Sequence, residues 1–186
     1  MRVKSALLAC SSALVALLLA ELALPALLAL EKVTLTYDEL LGFKGRSHVR
    51  TVWKREMGDH PRIVETNAHG FHDRERRLEK EKGVHRVVFL GDSFLEAYQV
   101  PVEDNFSQRL SKRLSSRMER SDNRAGRQPG RVEALNQGVH GYGLGVHLLY
   151  VRERLSRWQP DCVVLVLFLG NDLHDNFAPM AASAVP

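Results

Sequence analysis

Three short apolar runs, residues 86–90, 132–135 and 162–169, constrain the fold more than anything else in the chain. Each stops abruptly, at Gly91-Asp92-Ser93, at Asn136-Gln137-Gly138 and at Gly170-Asn171-Asp172. The runs are continuous rather than alternating, which is the pattern of strands covered on both faces. Helical periods separate them. Phe106, Leu110, Leu114 and Met118 recur every four residues, with Arg109, Lys112, Arg113 and Arg117 facing outward and Asn105 or Asp104 able to cap the start. Residues 146–158 form a second predicted helix, with Leu148, Val151, Leu155 and Trp158 toward the core and Pro160-Asp161 ending it. Strand, helix, strand, helix, strand predicts a parallel sheet with right-handed crossovers. Sites in such sheets lie at the carboxyl ends of the strands. Three strands and two helices are fewer than a finished doubly wound domain needs, and residues 181–186 do not read as a docked element. The chain is expected to stop in mid-fold.

Residues 1–30 form a separate stretch. Arg2 and Lys4 precede an apolar run broken by Ser11, Ser12, Glu21 and Pro25. Positive charge before such a run predicts a cytoplasmic N-terminus and export of the chain beyond it. The stretch reads as an uncleaved membrane helix, with a cleaved signal peptide as the alternative. The domain is therefore expected to be extracytoplasmic, periplasmic or at the cell surface, and anchored; signal cleavage would make it secreted. Residues 31–84 are an irregular lead-in of short strands and loops, punctuated by Gly42, Gly45, Gly58, Pro61 and Gly70. Within it Asn67 to Phe71 reads as a turn, and His69 and His72 as surface or packing residues. Residues 85–186 hold the α/β pattern.

The formal net charge is +4. The densest basic cluster, Arg74, Arg76 and Arg77, is interrupted by Glu75 and followed by Glu79, so it reads as a solvated mixed-charge face and not as a nucleic-acid surface. The two cysteines are Cys10 in the apolar N-terminus and Cys162 at the start of a strand expected to be buried, so no disulfide framework is expected. No Cys/His spacing suggests a metal site, and no Gly-x-Gly-x-x-Gly follows the first strand.

The chemistry gathers at the three strand ends. A serine at the end of a buried strand is a candidate nucleophile, but at neutral pH it needs a base and donors for a developing oxyanion. Ser93 can turn its own N–H into such a site. Gly138 has no side chain to keep a substrate from its N–H, and Asn171 carries a neutral amide donor. One donor of this kind contributes about 3–4 kcal/mol of transition-state stabilisation. Asp92 is expected to fix the Ser93 turn by hydrogen bonds, with Asn136 and Asp172 in supporting turn positions.

These three elements, in this order, resemble the motifs of the SGNH hydrolases, also called the GDSL esterase/lipase family. Gly91-Asp92-Ser93-Phe94 is similar to the first block, with Phe94 where leucine is common. Asn136-Gln137-Gly138 is similar to the second and Asn171-Asp172 to the third. The lead-in residues Asn67, Gly70, Phe71 and Asp73 are similar to those of membrane-anchored bacterial members. The resemblance implies a three-layer α/β/α, flavodoxin-like sheet with Ser93 as nucleophile. It also implies an oxyanion hole made of the Ser93 N–H, Gly138 and Asn171, and an acyl-ester substrate on polysaccharide, glycan or lipid. It implies no cofactor and no metal. Two departures stand out. Leu169 occupies the place two before the asparagine where the family's third block has glycine. The family's Asp-x-x-His pair, which supplies the base and its orienting carboxylate, occurs nowhere in the sequence. His140 and His174 lie near the expected site and read as loop residues rather than bases; His85 and His147 read as structural. Two rival expectations remain beside the esterase: an O-acyltransferase of envelope glycans on the same residues, and a catalytically dead, truncated binding domain.

Overall fold

A computed structural model of the chain describes residues 11–21, 34–54, 61–127 and 129–170. Two compact units are separable, residues 1–32 and residues 33–186. In the first, residues 11–21 are helical (α1). Among the described residues no helix is long and apolar enough to cross a membrane. The membrane helix expected over residues 1–30 is therefore not supported there, and its flanks, residues 1–10 and 22–30, lie outside the described residues.

The second unit opens with two antiparallel hairpins, as the glycine-punctuated lead-in predicts. Strand β1 (Leu35–Asp38) pairs with β2 (Gly42–Gly45), and β3 (Arg50–Trp53) with β4 (Arg62–Glu65). The first hairpin is fastened to the rest of the unit by Asp38. Its carboxylate accepts the Leu40 and Leu41 N–H groups at 3.1 Å each and a two-pronged contact from Arg154 at 2.7 and 2.9 Å. Burial pushes the Asp38 carboxyl up, but the Arg154 contact and the two N–H donors outweigh it and hold the pKa at about 2. A pKa lowered on folding stabilises above the unfolded value near 3.8 and is lost as pH falls through the folded one. Urea unfolding is therefore expected to lose about 2 kcal/mol of stability through Asp38 between roughly pH 5 and pH 2, a component that Asp38→Asn removes.

Among the described residues the core is a three-stranded parallel sheet of order β6-β5-β7. Strand β5 (Val84–Gly91) is central. It runs beside β6 (Arg131–Gly138), with Gly91 opposite Gly138, and beside β7 (Cys162–Leu165), with Leu90 opposite Leu165. Both faces of β5 are covered, as its continuous apolar run requires. Val88 and Leu90 join Leu135, Val146, Tyr150, Leu155 and Trp158 on one face, whereas Phe89 joins Leu95, Ala134 and Leu110 on the other.

Helix α2 (Ser93–Glu96) is a single turn that follows β5 directly. Helix α3 (Phe106–Arg124) begins at Asn105, whose side chain accepts the Gln108 N–H at 3.0 Å. Phe106 then meets Phe89 edge to face, with ring centroids 4.7 Å apart. Helix α4 (Leu144–Glu153) departs from expectation. It ends at Arg154 and continues as a 3₁₀ turn over Leu155–Trp158. The inward residues are Val146, His147 and Tyr150, while Leu148 and Val151 are exposed. The Trp158 indole N–H donates to the Tyr150 hydroxyl at 3.0 Å, and Arg154 is drawn to Asp38. These two contacts set the face that turns inward, against the simple apolar period.

Strand β7 also corrects the sequence reading. The run 162–169 predicts one fully buried strand, yet the strand spans only Cys162–Leu165, Cys162 is exposed, and Val163, Leu165 and, beyond the strand, Leu167 and Leu169 all keep substantial exposure. It pairs only with β5, so its second edge and much of its faces are uncovered among the described residues. The Arg74–Arg77 cluster is likewise not a uniform solvated face. Arg76 reaches inward to the buried Asp73 carboxylate at 3.2 Å and donates to the Ala134 carbonyl at 3.2 Å.

Candidate functional site

Ser93 is the first residue of α2, at the carboxyl end of the central strand, and it is exposed. Asp92, 1 % exposed, caps the turn: its Oδ1 accepts the Phe94 N–H at 3.0 Å. This is the part expected of Asp92. At the other end, Ala97 sits in the left-handed region at φ 55°, and its N–H donates to the Ser93 carbonyl at 3.0 Å. A non-glycine residue there is uncommon, and such strained turns concentrate at functional sites.

The second motif packs onto this turn. Asn136 is 1 % exposed; its Nδ2 donates to the Leu95 carbonyl at 2.8 Å, and its own N–H donates to the Asp73 carboxylate at 3.1 Å. Asp73 also accepts from the Gln108 amide at 2.6 Å and pairs with Arg76. Burial pushes the Asp73 carboxyl upward, against the pull of Arg76 and its backbone donors. Gly138 lies against the α2 backbone so closely that a β-carbon there would overlap the Glu96 nitrogen. Its N–H donates to Asn136 Oδ1 at 3.0 Å. The part it plays here is close approach, because its donor is already engaged.

The neighbouring glycine is different. Gly141 is exposed, has φ +79°, and its N–H meets no acceptor among the described residues; the same holds for the Ser93 N–H. The turn that carries Gly141 is fastened to the serine turn. Val139 N–H donates to the Gly91 carbonyl at 3.0 Å, and His140 Nδ1 meets Glu96 Oε2 at 2.8 Å. Glu96 is buried, and its hydrogen bond raises the His140 pKa above the ordinary histidine value against the opposing effect of burial. His72, also buried, places Nδ1 at 2.8 Å from the Glu96 carbonyl, and the Tyr98 ring lies edge-on between His72 and His140. His72 is thus a packing residue, as expected, but one that buttresses the serine turn.

The segment that follows β7 reaches the same place. Phe94 stacks on Phe168 with ring centroids 4.2 Å apart and planes inclined by 29°, and Val166 N–H donates to the Leu90 carbonyl at 2.8 Å. All three strand ends therefore converge around Ser93. Asn171 and Asp172, the third motif, lie outside the described residues, as do His174 and Asp175. His147 is buried within α4, and His85 lies on β5.

Sequence reasoning does not reach Glu96 or the difference between Gly138 and Gly141. Glu96 gives no local signal, because its partners lie 24 and 44 positions away. Gly141 is visible as one of a run of glycines; only the hydrogen bond from Gly138 to Asn136 separates the two. Among the described residues no group of acidic, histidine or cysteine side chains is placed to hold a metal ion. No protein-family model matches the chain, and no curated protein matches it.

Proposed function

We propose that the chain carries the nucleophile and oxyanion half of a serine ester hydrolase of the SGNH/GDSL type. The observation that carries this reading is the exposed Ser93 on a strained single turn at the end of the central parallel strand, with both neighbouring strands ending beside it. The reading requires a flavodoxin-like, three-layer sheet, and it takes Ser93 N–H, Gly141 N–H and the Asn171 amide as oxyanion donors, with Gly138 holding the two turns together. An acyl group on a polysaccharide, glycan or lipid is the substrate class. The Arg2 and Lys4 charge pattern supports an exported, anchored placement, and partners other than substrate and membrane are not required. No cofactor enters. In the reaction Ser93 Oγ attacks the ester carbonyl, the alcohol leaves with a proton, and water releases the acyl group. The base that moves these protons belongs, in the SGNH family, to an Asp-x-x-His, a pair that occurs nowhere in these 186 residues.

The test is a fluorophosphonate probe on the full-length protein, followed by peptide mapping. Modification confined to Ser93 is expected. A folded protein that stays unlabelled sinks the hydrolase reading.

A further inference from the structure

The Glu96–His140 pair takes no part in the attack, in proton transfer or in oxyanion binding as proposed for Ser93. Glu96 is 4 % exposed, yet its carboxylate is turned to an imidazole at 2.8 Å and not to solvent. It stands three places after Ser93 on the same turn, and His140 stands immediately before Gly141. The contact therefore joins the element carrying the nucleophile to the turn after β6 that carries Gly141. Around it, Tyr98 faces His140 and His72, while His72 holds the Glu96 carbonyl. Such a cluster, with a carboxylate removed from water and matched to an imidazole donor, has a fixed geometry that neutral contacts do not impose.

We infer that His140, gripped by buried Glu96, is a positioning residue for the oxyanion hole. It sets the Gly141 N–H at the angle where it meets the oxyanion formed on Ser93. Three ties hold this turn: the Val139–Gly91 backbone bond fixes where it begins, the Tyr142 N–H closes it on the Val139 carbonyl at 3.2 Å, and the His140–Glu96 bond is the one that joins it to the nucleophile turn. An oxyanion donor acts only when it is aimed before the charge develops. The inference rests on the serine-hydrolase reading.

The experiment compares wild type, His140→Ala, His140→Gln and Glu96→Gln in the full-length protein. Steady-state ester turnover, the rate of fluorophosphonate labelling of Ser93, and amide hydrogen exchange over residues 136–143 are measured on each. His140→Ala is expected to lower kcat by about 100-fold with KM held within about twofold, since a misplaced donor harms the transition state and not ground-state binding. Labelling should slow in parallel, and exchange at residues 139–142 should quicken while the rest of the sheet stays protected. His140→Gln, which keeps a donor for Glu96, should recover part of the loss. Glu96→Gln should lose less than His140→Ala because an acceptor oxygen remains. Three results overturn the inference alone: a wild-type kcat in His140→Ala, a loss confined to KM, or a loss accompanied by general unfolding without recovery in His140→Gln. An unlabelled, folded wild type overturns the hydrolase reading and this inference with it.

Discussion

Ser93→Ala in the full-length protein is expected to lower ester turnover by about 10⁴-fold or more while leaving the fold and substrate affinity intact, because the proposed attack uses the Ser93 hydroxyl alone. Ser93 is exposed, and among the described residues its Oγ makes no side-chain hydrogen bond that supports the turn. The cap is made by Asp92, and the closing bond uses the Ser93 backbone carbonyl, so alanine leaves both in place. Thermal unfolding should shift by little, and KM should hold. Turnover within about tenfold of wild type would mean that another group performs the attack or that Ser93 binds substrate without reacting. Equal falls in kcat and thermal midpoint would mean that the serine is structural. The substitution separates these outcomes because its local environment makes it close to neutral for folding.

The features legible in the sequence are those set by local or periodic interactions. The continuous run of β5 predicts a strand covered on both faces, and Val88 and Phe89 do pack to opposite sides. Asn105 is readable as a cap because capping spans only three residues. Asp92 is readable as the brace of the serine turn for the same reason. The inward face of α4 is not, because Arg154 answers to Asp38 116 positions away and Trp158 to the Tyr150 hydroxyl. Those contacts override an apolar period that Leu148 and Val151 would otherwise satisfy. The exposure of β7 is not legible either: an apolar run states a need for cover and says nothing of what provides it. At the site, the convergence of strand ends can be read from the alternation of strands and helices. The network beneath it cannot, since Asp73, Asn136 and Gln108, or Glu96, His72 and His140, meet only through the folded chain.

Gly138→Ala tests whether that network depends on two backbones touching. A β-carbon at Gly138 would overlap the Glu96 nitrogen and stand 2.8 Å from the Leu95 carbonyl carbon and 2.9 Å from the Glu96 Cα. These atoms belong to the main chain of α2, so no side chain can rotate aside. The α2 turn cannot retreat without losing the Asn136 amide bond to Leu95, and Gly138 cannot retreat without leaving its register opposite Gly91. We expect roughly 3 kcal/mol of destabilisation, the upper part of the range for overpacking, read as a lower urea midpoint at unchanged slope. Ester turnover should fall as well, because the displaced turn is the one that carries Ser93. Gly126→Ala is the matched control. Gly126 has open space around it but a φ of +64°, so its replacement carries only the backbone penalty of about 1–2 kcal/mol. Gly138 has no positive φ to defend, and its requirement for glycine is one of space. Equal destabilisation by the two substitutions would therefore refute the close approach of β6 to the nucleophile turn, whereas a clear excess at Gly138 makes that approach the structural condition on which the site depends.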